Sequence, residues 1–333
     1  MEKENAMRGS LLTVSRRFAA GIDVSEDAVR LAIISRRLKA NSSICVERLE
    51  TVPLDEGVVV RGDFLDRPAI VAALRTAFER LPVNGTRRAL RCAMGLPSSA
   101  THTLSVPLTQ LIEPRKMRMS GSSGDPSGVL EPAVLAEAER ALGMERASLA
   151  VDWSVQRRSN GLSTVSIAAT QRRFVEARVE VAAQAGIALS AIDGEPGSAL
   201  RAMRHAGSTE FDADSRYLVC WAESTGMHGW VVNAGEIENE GRYPTPEFRT
   251  IGEALRDLAG DAAPPHCIYV GGNLELMERG GFSTLAISAL FDCPTLPFEA
   301  APFCNGAANI DDVLKHSPRF AVAFGLALRE VLQ

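Results

Sequence analysis

Metal and nucleophile chemistry are the first things this sequence can be tested for, and both fail on spacing. The six cysteines stand at 45, 92, 220, 267, 293 and 304. No two have the short separation of a metal-ligand pair, and several sit in apolar runs such as Leu218-Val219-Cys220-Trp221. The expectation is reduced, buried thiols in a cytoplasmic protein. The five histidines, at 102, 205, 228, 266 and 316, contain no i, i+4 pair for a metal and no visible carboxylate triad. A Gly-x-Ser-x-Gly nucleophile elbow is absent, as is a Gly-x-x-x-x-Gly-Lys-Ser/Thr phosphate loop. What remains are short turns. Asp23 ends an apolar run, where its side chain can close a strand by an Asx-turn. Gly271-Gly272 follows Tyr269-Val270, and a glycine pair there can be purely conformational. Glu195 falls at a helix start, where the helix dipole favours a carboxylate. The basic run Arg115-Lys116-Met117-Arg118 either touches acidic lipid or a partner or forms a solvated loop.

The elements that must position these turns are α/β in pattern. Phe18–Val24, Ala28–Ser35 and Ser43–Val52 read as strands, with Ser25-Glu26-Asp27 as a tight turn between the first two. Ile70–Leu81 has helical periodicity. Strand-like Ala89–Met94 and Thr101–Val106 are broken by Pro97-Ser98-Ser99, and residues 116–128, rich in Ser and Gly, read as a flexible loop. Pro132–Leu142 and Arg172–Gln184 are helical, on either side of paired strands joined by Ser159-Asn160-Gly161. A second lobe opens at Leu189–Asp193, followed by a helix from about Pro196, a hairpin over 217–233, a helix over 248–258, a buried strand Cys267–Val270 and a helix over 282–290. Ser317-Pro318 is expected to cap a final helix that is almost wholly apolar and therefore buried. With 46% hydrophobic residues, 23% charged and a net charge of −5, the composition is globular and speaks against nucleic-acid binding. The polar segment 1–17, expected to be flexible, resembles neither a signal sequence nor a span, and no later run reaches the roughly 20 apolar residues of a transmembrane helix.

Three of the turns form an ordered series that resembles the nucleotide-binding turns of actin-like ATPases. Gly21-Ile22-Asp23-Val24-Ser25-Glu26-Asp27-Ala28-Val29-Arg30 resembles the first phosphate hairpin, Leu218 to Ser224 the second, and Tyr269-Val270-Gly271-Gly272-Asn273 the adenosine turn. Between them lie segments similar to the PilM family of type IV pilus assembly proteins: Gly95-Leu96-Pro97-Ser98-Ser99-Ala100 with Leu104-Ser105-Val106-Pro107, then Val151-Asp152-Trp153-Ser154-Val155, then Ile192-Asp193-Gly194-Glu195-Pro196-Gly197. The resemblance implies two actin-like (ribonuclease H-like) lobes, 18–188 and 189–333, the first with a small α+β subdomain inserted at about 95–165. It also implies a cytoplasmic component of a pilus or secretion assembly platform, peripheral to the inner membrane. Such a component binds a short N-terminal peptide of a single-span, PilN-like protein and relays its state to motor ATPases. The expected peptide surface is near Leu104, Val106 and Pro107.

This sequence departs from the family where the resemblance would place the chemistry. The implied nucleotide residues are Asp23, Ser25, Glu26, Asp27, Arg30, Ala222, Glu223, Ser224, Gly271, Gly272 and Asn273, with Glu195 in the cleft. Where glycine and serine would follow Asp23, two carboxylates stand. Each would repel a phosphate at ~5 Å by roughly 3 kcal/mol at an effective dielectric near 20. Arg30 replaces the usual lysine, or is a solvated strand residue. The second hairpin's Asp-x-Gly reads Cys220-Trp221-Ala222, so its Mg²⁺-organising carboxylate is missing, and the stretch 241–261 is short. The expectation is a pseudo-ATPase scaffold whose cleft binds Mg·ATP weakly or not at all. The alternatives are a working ATPase that gates partner docking and a relative serving DNA uptake or another envelope machine.

Overall fold

In the computed structural model, residues 16–38, 43–79, 90–112, 127–157, 163–244, 251–260, 263–304 and 316–332 are described. Strands β1 (Arg16–Val24), β2 (Ala28–Arg37) and β3 (Ile44–Pro53) form an antiparallel meander. The first eight residues of β2, Ala28 to Ser35, are buried without alternation, as in a strand covered on both faces. A ribbon of β4 (Val59–Val60) and β5 (Asp63–Phe64) precedes helix α1 (Arg67–Glu79), and β6 (Arg91–Leu96) follows. Next come β7 (His102–Pro107), a single helical turn at Leu108–Leu111, α2 (Ser127–Leu142), β8 (Leu149–Arg157), β9 (Ser163–Gln171) and α3 (Arg172–Gln184). The chain continues through β10 (Leu189–Gly194), α4 (Glu195–Glu210), β11 (Arg216–Glu223), β12 (Gly226–Asn233) and β13 (Glu236–Pro244). It ends with α5 (Ile251–Ala259), β14 (Ile268–Gly272), α6 (Leu274–Arg279), α7 (Thr284–Phe291), β15 (Thr295–Pro297) and α8 (Ala321–Leu332).

Residues 1–95 and 181–333 form one unit and residues 96–180 another. The larger unit holds two five-stranded sheets of the same plan, ordered β3-β2-β1-β6-β10 and β13-β12-β11-β14-β15. In each, an antiparallel meander is continued by a parallel neighbour, β6 beside β1 and β14 beside β11. Both parallel pairings require a crossover, which helical segments supply. Helix α8 packs on β1, β2 and α4, and glycines set the closeness. A Cβ on Gly21 would lie 1.9 Å from the Ala323 carbonyl oxygen, and one on Gly325 would lie 1.8 Å from that of Ser198. The apolar stripe Phe320-Ala321-Val322-Ala323-Phe324 is consequently buried, as its composition requires.

The smaller unit is a three-stranded antiparallel sheet, β7-β9-β8, with its own core from Val134, Ala138, Val165 and Ile167. Three features differ from the sequence expectation. The hairpin over 217–233 is extended by β13, whose residues Glu236 to Glu240 are all exposed, so no apolar alternation announced it. Short β15 and α6 were not expected. Ser317 does not cap the last helix: Ser317–Phe320 forms a 3₁₀ turn ahead of α8, and the buried Ser317 hydroxyl has no partner among the described residues. The basic run 115–118, residues 119–126 of the Ser/Gly-rich stretch and the 159–161 turn lie outside the described residues.

Candidate functional site

The first turn is built by the β1–β2 register, in which Val24 faces Val29. The Ser25 amide donates to the Ala28 carbonyl (3.0 Å), which leaves Ser25, Glu26 and Asp27 at the tip. Arg30, the third residue of β2, is buried at 5% exposure, which corrects the reading of a solvated strand residue. Its guanidinium turns back over the tip. Nη1 donates to Ser25 Oγ (2.6 Å), Nη2 to Asp27 Oδ2 (2.6 Å), and buried Asp23 lies 4.0 Å away. A buried cation needs such carboxylate company, and the turn supplies it. Glu26 accepts a hydrogen bond from the Arg61 amide (3.0 Å), at a residue whose φ of 50° marks a tight turn between β4 and β5. The two carboxylates therefore do not stand together as bare charges. One is tied to an amide, the other to guanidinium groups.

The third turn joins this network. Arg319, in the 3₁₀ turn before α8, donates through Nη1 to Asp27 Oδ2 (2.8 Å) and through Nη2 to Asn273 Oδ1 (3.0 Å), and lies 3.4 Å from Glu275. Partial burial pushes the Asp27 carboxyl up, but the hydrogen bond and charge of Arg30, the Ser25 hydroxyl and Arg319 outweigh it. The net result lies below the ordinary aspartate value. Arg319, Glu275 and Arg61 escaped the sequence reading. A usable signal existed for Arg319: a cation at a helix N-terminus opposes the helix dipole and calls for an acidic partner.

The second turn is self-contained. Glu223 accepts from the Thr225 hydroxyl (2.8 Å) and lies 3.3 Å from His228 Nε2. The His228 ring stacks on Trp230 and lies tilted near Trp221. Cys220 is fully buried and its thiol is pushed up to about 12 by desolvation, so it is a core residue. Ala222 is buried and its carbonyl accepts from the Asn273 amide (2.9 Å). Ser224 completes the turn to β12. Gly272, at φ 84°, lies against this hairpin so closely that a Cβ would come 2.0 Å from the Ala222 oxygen. One on Gly271 would meet the Met203 sulfur at 2.9 Å. Gly272 is thus required by both its positive φ and the Ala222 backbone, whereas at Gly271 the Met203 side chain would have to shift. Glu195 opens α4 at 7% exposure, its Cγ 3.1 Å from where a Cβ on Gly95 would be.

The hydroxyl and carboxylate of the first turn are engaged by Arg30, and the second turn offers no carboxylate beyond Glu223, which His228 and Thr225 engage. The glycines of the third are filled by neighbouring backbone and sulfur. Among the described residues no group of three or more His, Cys, Asp and Glu side chains could hold a metal ion. In the smaller unit, Leu104 and Val106 face its core and only Pro107 of that trio is exposed. Among the described residues β7 is nonetheless an edge strand, paired with β9.

Comparison with known proteins gives the family and the fold. The family model "Type IV pilus assembly protein PilM" matches residues 21–216. The solved PilM–PilN type IV pilus biogenesis complex superposes with a TM-score of 0.67 at 17% identity, covering 94% of this chain and 98% of that one. A Bacteroides thetaiotaomicron protein of actin-like ATPase fold matches at a TM-score of 0.46 and 11% identity, over 91% of this chain and 97% of that one. The cytoplasmic domain of EpsL, an inner-membrane component of the Vibrio cholerae type II secretion system, gives 0.44 and 9%, over 79% and 94%. The fold is thus shared with the solved PilM–PilN complex. No curated protein matches the chain.

Proposed function

This chain belongs to the PilM family of type IV pilus assembly proteins, and on that premise we propose that it is a scaffold with a degenerate nucleotide cleft. The observation that carries the reading is the bridge Asp27–Arg319–Asn273, in which a side chain of the protein connects two turns that a nucleotide would otherwise join. The two five-stranded sheets serve as the cores of two lobes, with β10 (Leu189–Gly194) completing the sheet of the first before the chain enters the second. The scaffold acts by docking: it captures an N-terminal peptide of a PilN-like membrane protein, is held at the cytoplasmic face of the inner membrane through it, and relays its state to motor ATPases. The similar solved complex, which pairs PilM with PilN, supports the partner. That no helix among the described residues is long and apolar enough to cross a membrane fits attachment through a partner. Pro107 and the open edge of β7 are the peptide contact we propose, because an extended peptide adds readily to an edge strand.

The test is calorimetry and thermal unfolding with Mg·ATP, beside fluorescence anisotropy with a labelled N-terminal peptide of a PilN-like protein. A ligand at 100 times its Kd stabilises a fold by about 2.7 kcal/mol, a shift easily seen. We expect none with millimolar Mg·ATP, and saturable peptide binding that ATP leaves unchanged. Micromolar ATP binding would overturn the degenerate cleft in favour of a nucleotide-gated scaffold. Failure of the peptide to bind would overturn the docking role.

A further inference from the structure

Away from the three turns, α4, the end of α8 and the β12–β13 turn line an open pocket of about 450 Å³. That lies within the roughly 300–1,000 Å³ of small-molecule sites. Its apolar wall is Leu200, Leu328 and Leu332, and its polar wall is Arg201, Arg204 and Tyr217. The two arginines differ in what they hold. Arg201 is paired with Asp193 (2.9 Å) and donates to the Gly325 carbonyl (3.0 Å). Asp193 is itself shared with Arg329 (3.3 Å), so one carboxylate serves two guanidinium groups. Arg204 donates to the Gly235 carbonyl and lies beside the Tyr217 hydroxyl, and among the described residues it pairs with no carboxylate.

A guanidinium carries five N–H donors, more than these two neutral acceptors use. The turn it holds is Ala234-Gly235, with φ of 48° and 77°, the left-handed pair that a two-residue hairpin requires. A fixed guanidinium at a pocket with cations in excess and one greasy wall is the recognition chemistry of an anion on an apolar body. We propose that this pocket binds a small organic anion, a phosphate or carboxylate head on an apolar body, with Arg204 as the head-group contact. Leu200, Leu328 and Leu332 cover the body.

The test is calorimetric titration of the full chain with phenyl phosphate, benzoate and inorganic phosphate. At least one organic anion should bind and should exceed inorganic phosphate in affinity, and the better of the two identifies the head group. Binding should weaken by at least about tenfold in Arg204→Gln. It should also weaken in Leu332→Glu, which sets a carboxylate at a half-exposed lining position without removing any polar contact, and which carries the test if Arg204→Gln unfolds. Arg319→Ala should leave it unchanged. Absence of binding by either organic anion would overturn the proposal, as would affinity lost in Arg319→Ala and kept in Arg204→Gln and Leu332→Glu. The latter result would place the anion at the three turns.

Discussion

Arg319 and Asp27 are 292 residues apart in sequence and 2.8 Å apart in the fold. The bridge joins the tip of the β1–β2 hairpin to the segment that introduces α8, and the same guanidinium reaches Asn273. Its partners are part exposed, at 22% for the Arg319 side chain and 52% for Asp27, so its worth is that of a surface pair. Arg319→Ala should lower stability by only about 0.5–1 kcal/mol. The loss should shrink in high salt, because exposed pairs are screened. Urea melts at low and high ionic strength check both points, and an undiminished loss in salt would show that packing, not charge, is what the side chain supplies.

Arg30 is the other guanidinium at the same carboxylate, and it is buried. Removing it takes a buried cation from beside Asp23 and leaves Asp27 with Arg319 as its guanidinium partner. Arg30→Ala should therefore cost about 3–5 kcal/mol, several times the effect of Arg319→Ala. A double-mutant cycle with Asp27→Ala measures how much of that passes through Asp27. A cost equal to that of Arg319→Ala would contradict the buried role.

The pH dependence follows from Asp27. Its folded value lies below the ordinary 3.8, so the unfolded chain takes up the proton first as pH falls. The stabilisation is full above the ordinary value and is lost as pH drops through the lowered folded one. Urea midpoints followed downward from pH 6 should fall more steeply for the native chain than for Asp27→Asn. Parallel profiles would mean that Asp27 is not held in its charged form.

Gly272 and Gly57 separate backbone strain from close approach. Both have φ near 85°, but nothing lies within 4 Å of a Cβ at Gly57 whereas one at Gly272 would strike the Ala222 carbonyl. Gly57→Ala should cost about 1 kcal/mol from conformation alone. Gly272→Ala should cost clearly more, because the Asn273–Ala222 hydrogen bond must shift. Equal losses in thermal unfolding would remove packing as the reason for that glycine.

What was legible in the sequence were the elements with an apolar period: β1, β2, α3, α4 and the buried run of α8 announced themselves, and the ordered turns revealed the actin-like fold. The polar strand β13 was not legible, because Glu236 to Glu240 carry no alternation and the strand exists by pairing with β12. The candidate site was legible in membership and not in wiring. Ser25, Glu26, Asp27 and Arg30 are adjacent in sequence, but nothing local says that Glu26 turns to Arg61 or that Arg319 arrives from the far end of the fold. Such pairings are set by topology, and a single sequence does not print them. The sequence arithmetic treated both carboxylates as bare, whereas Asp27 carries two guanidinium partners and Glu26 accepts from the Arg61 amide.

The seating of α8 on β1 bears on how the protein is made. Strand β1 leaves the ribosome early, and its Gly21 is shaped to the backbone of a helix translated only after both sheets. Contacts of such separation in sequence slow folding. Until that helix arrives, the inner face of β1 and β2 is an uncovered apolar surface, the kind of nascent intermediate that aggregates or engages chaperones. The first sheet is therefore completed only once α8 has been made, and truncation within α8 should cripple it as much as the second.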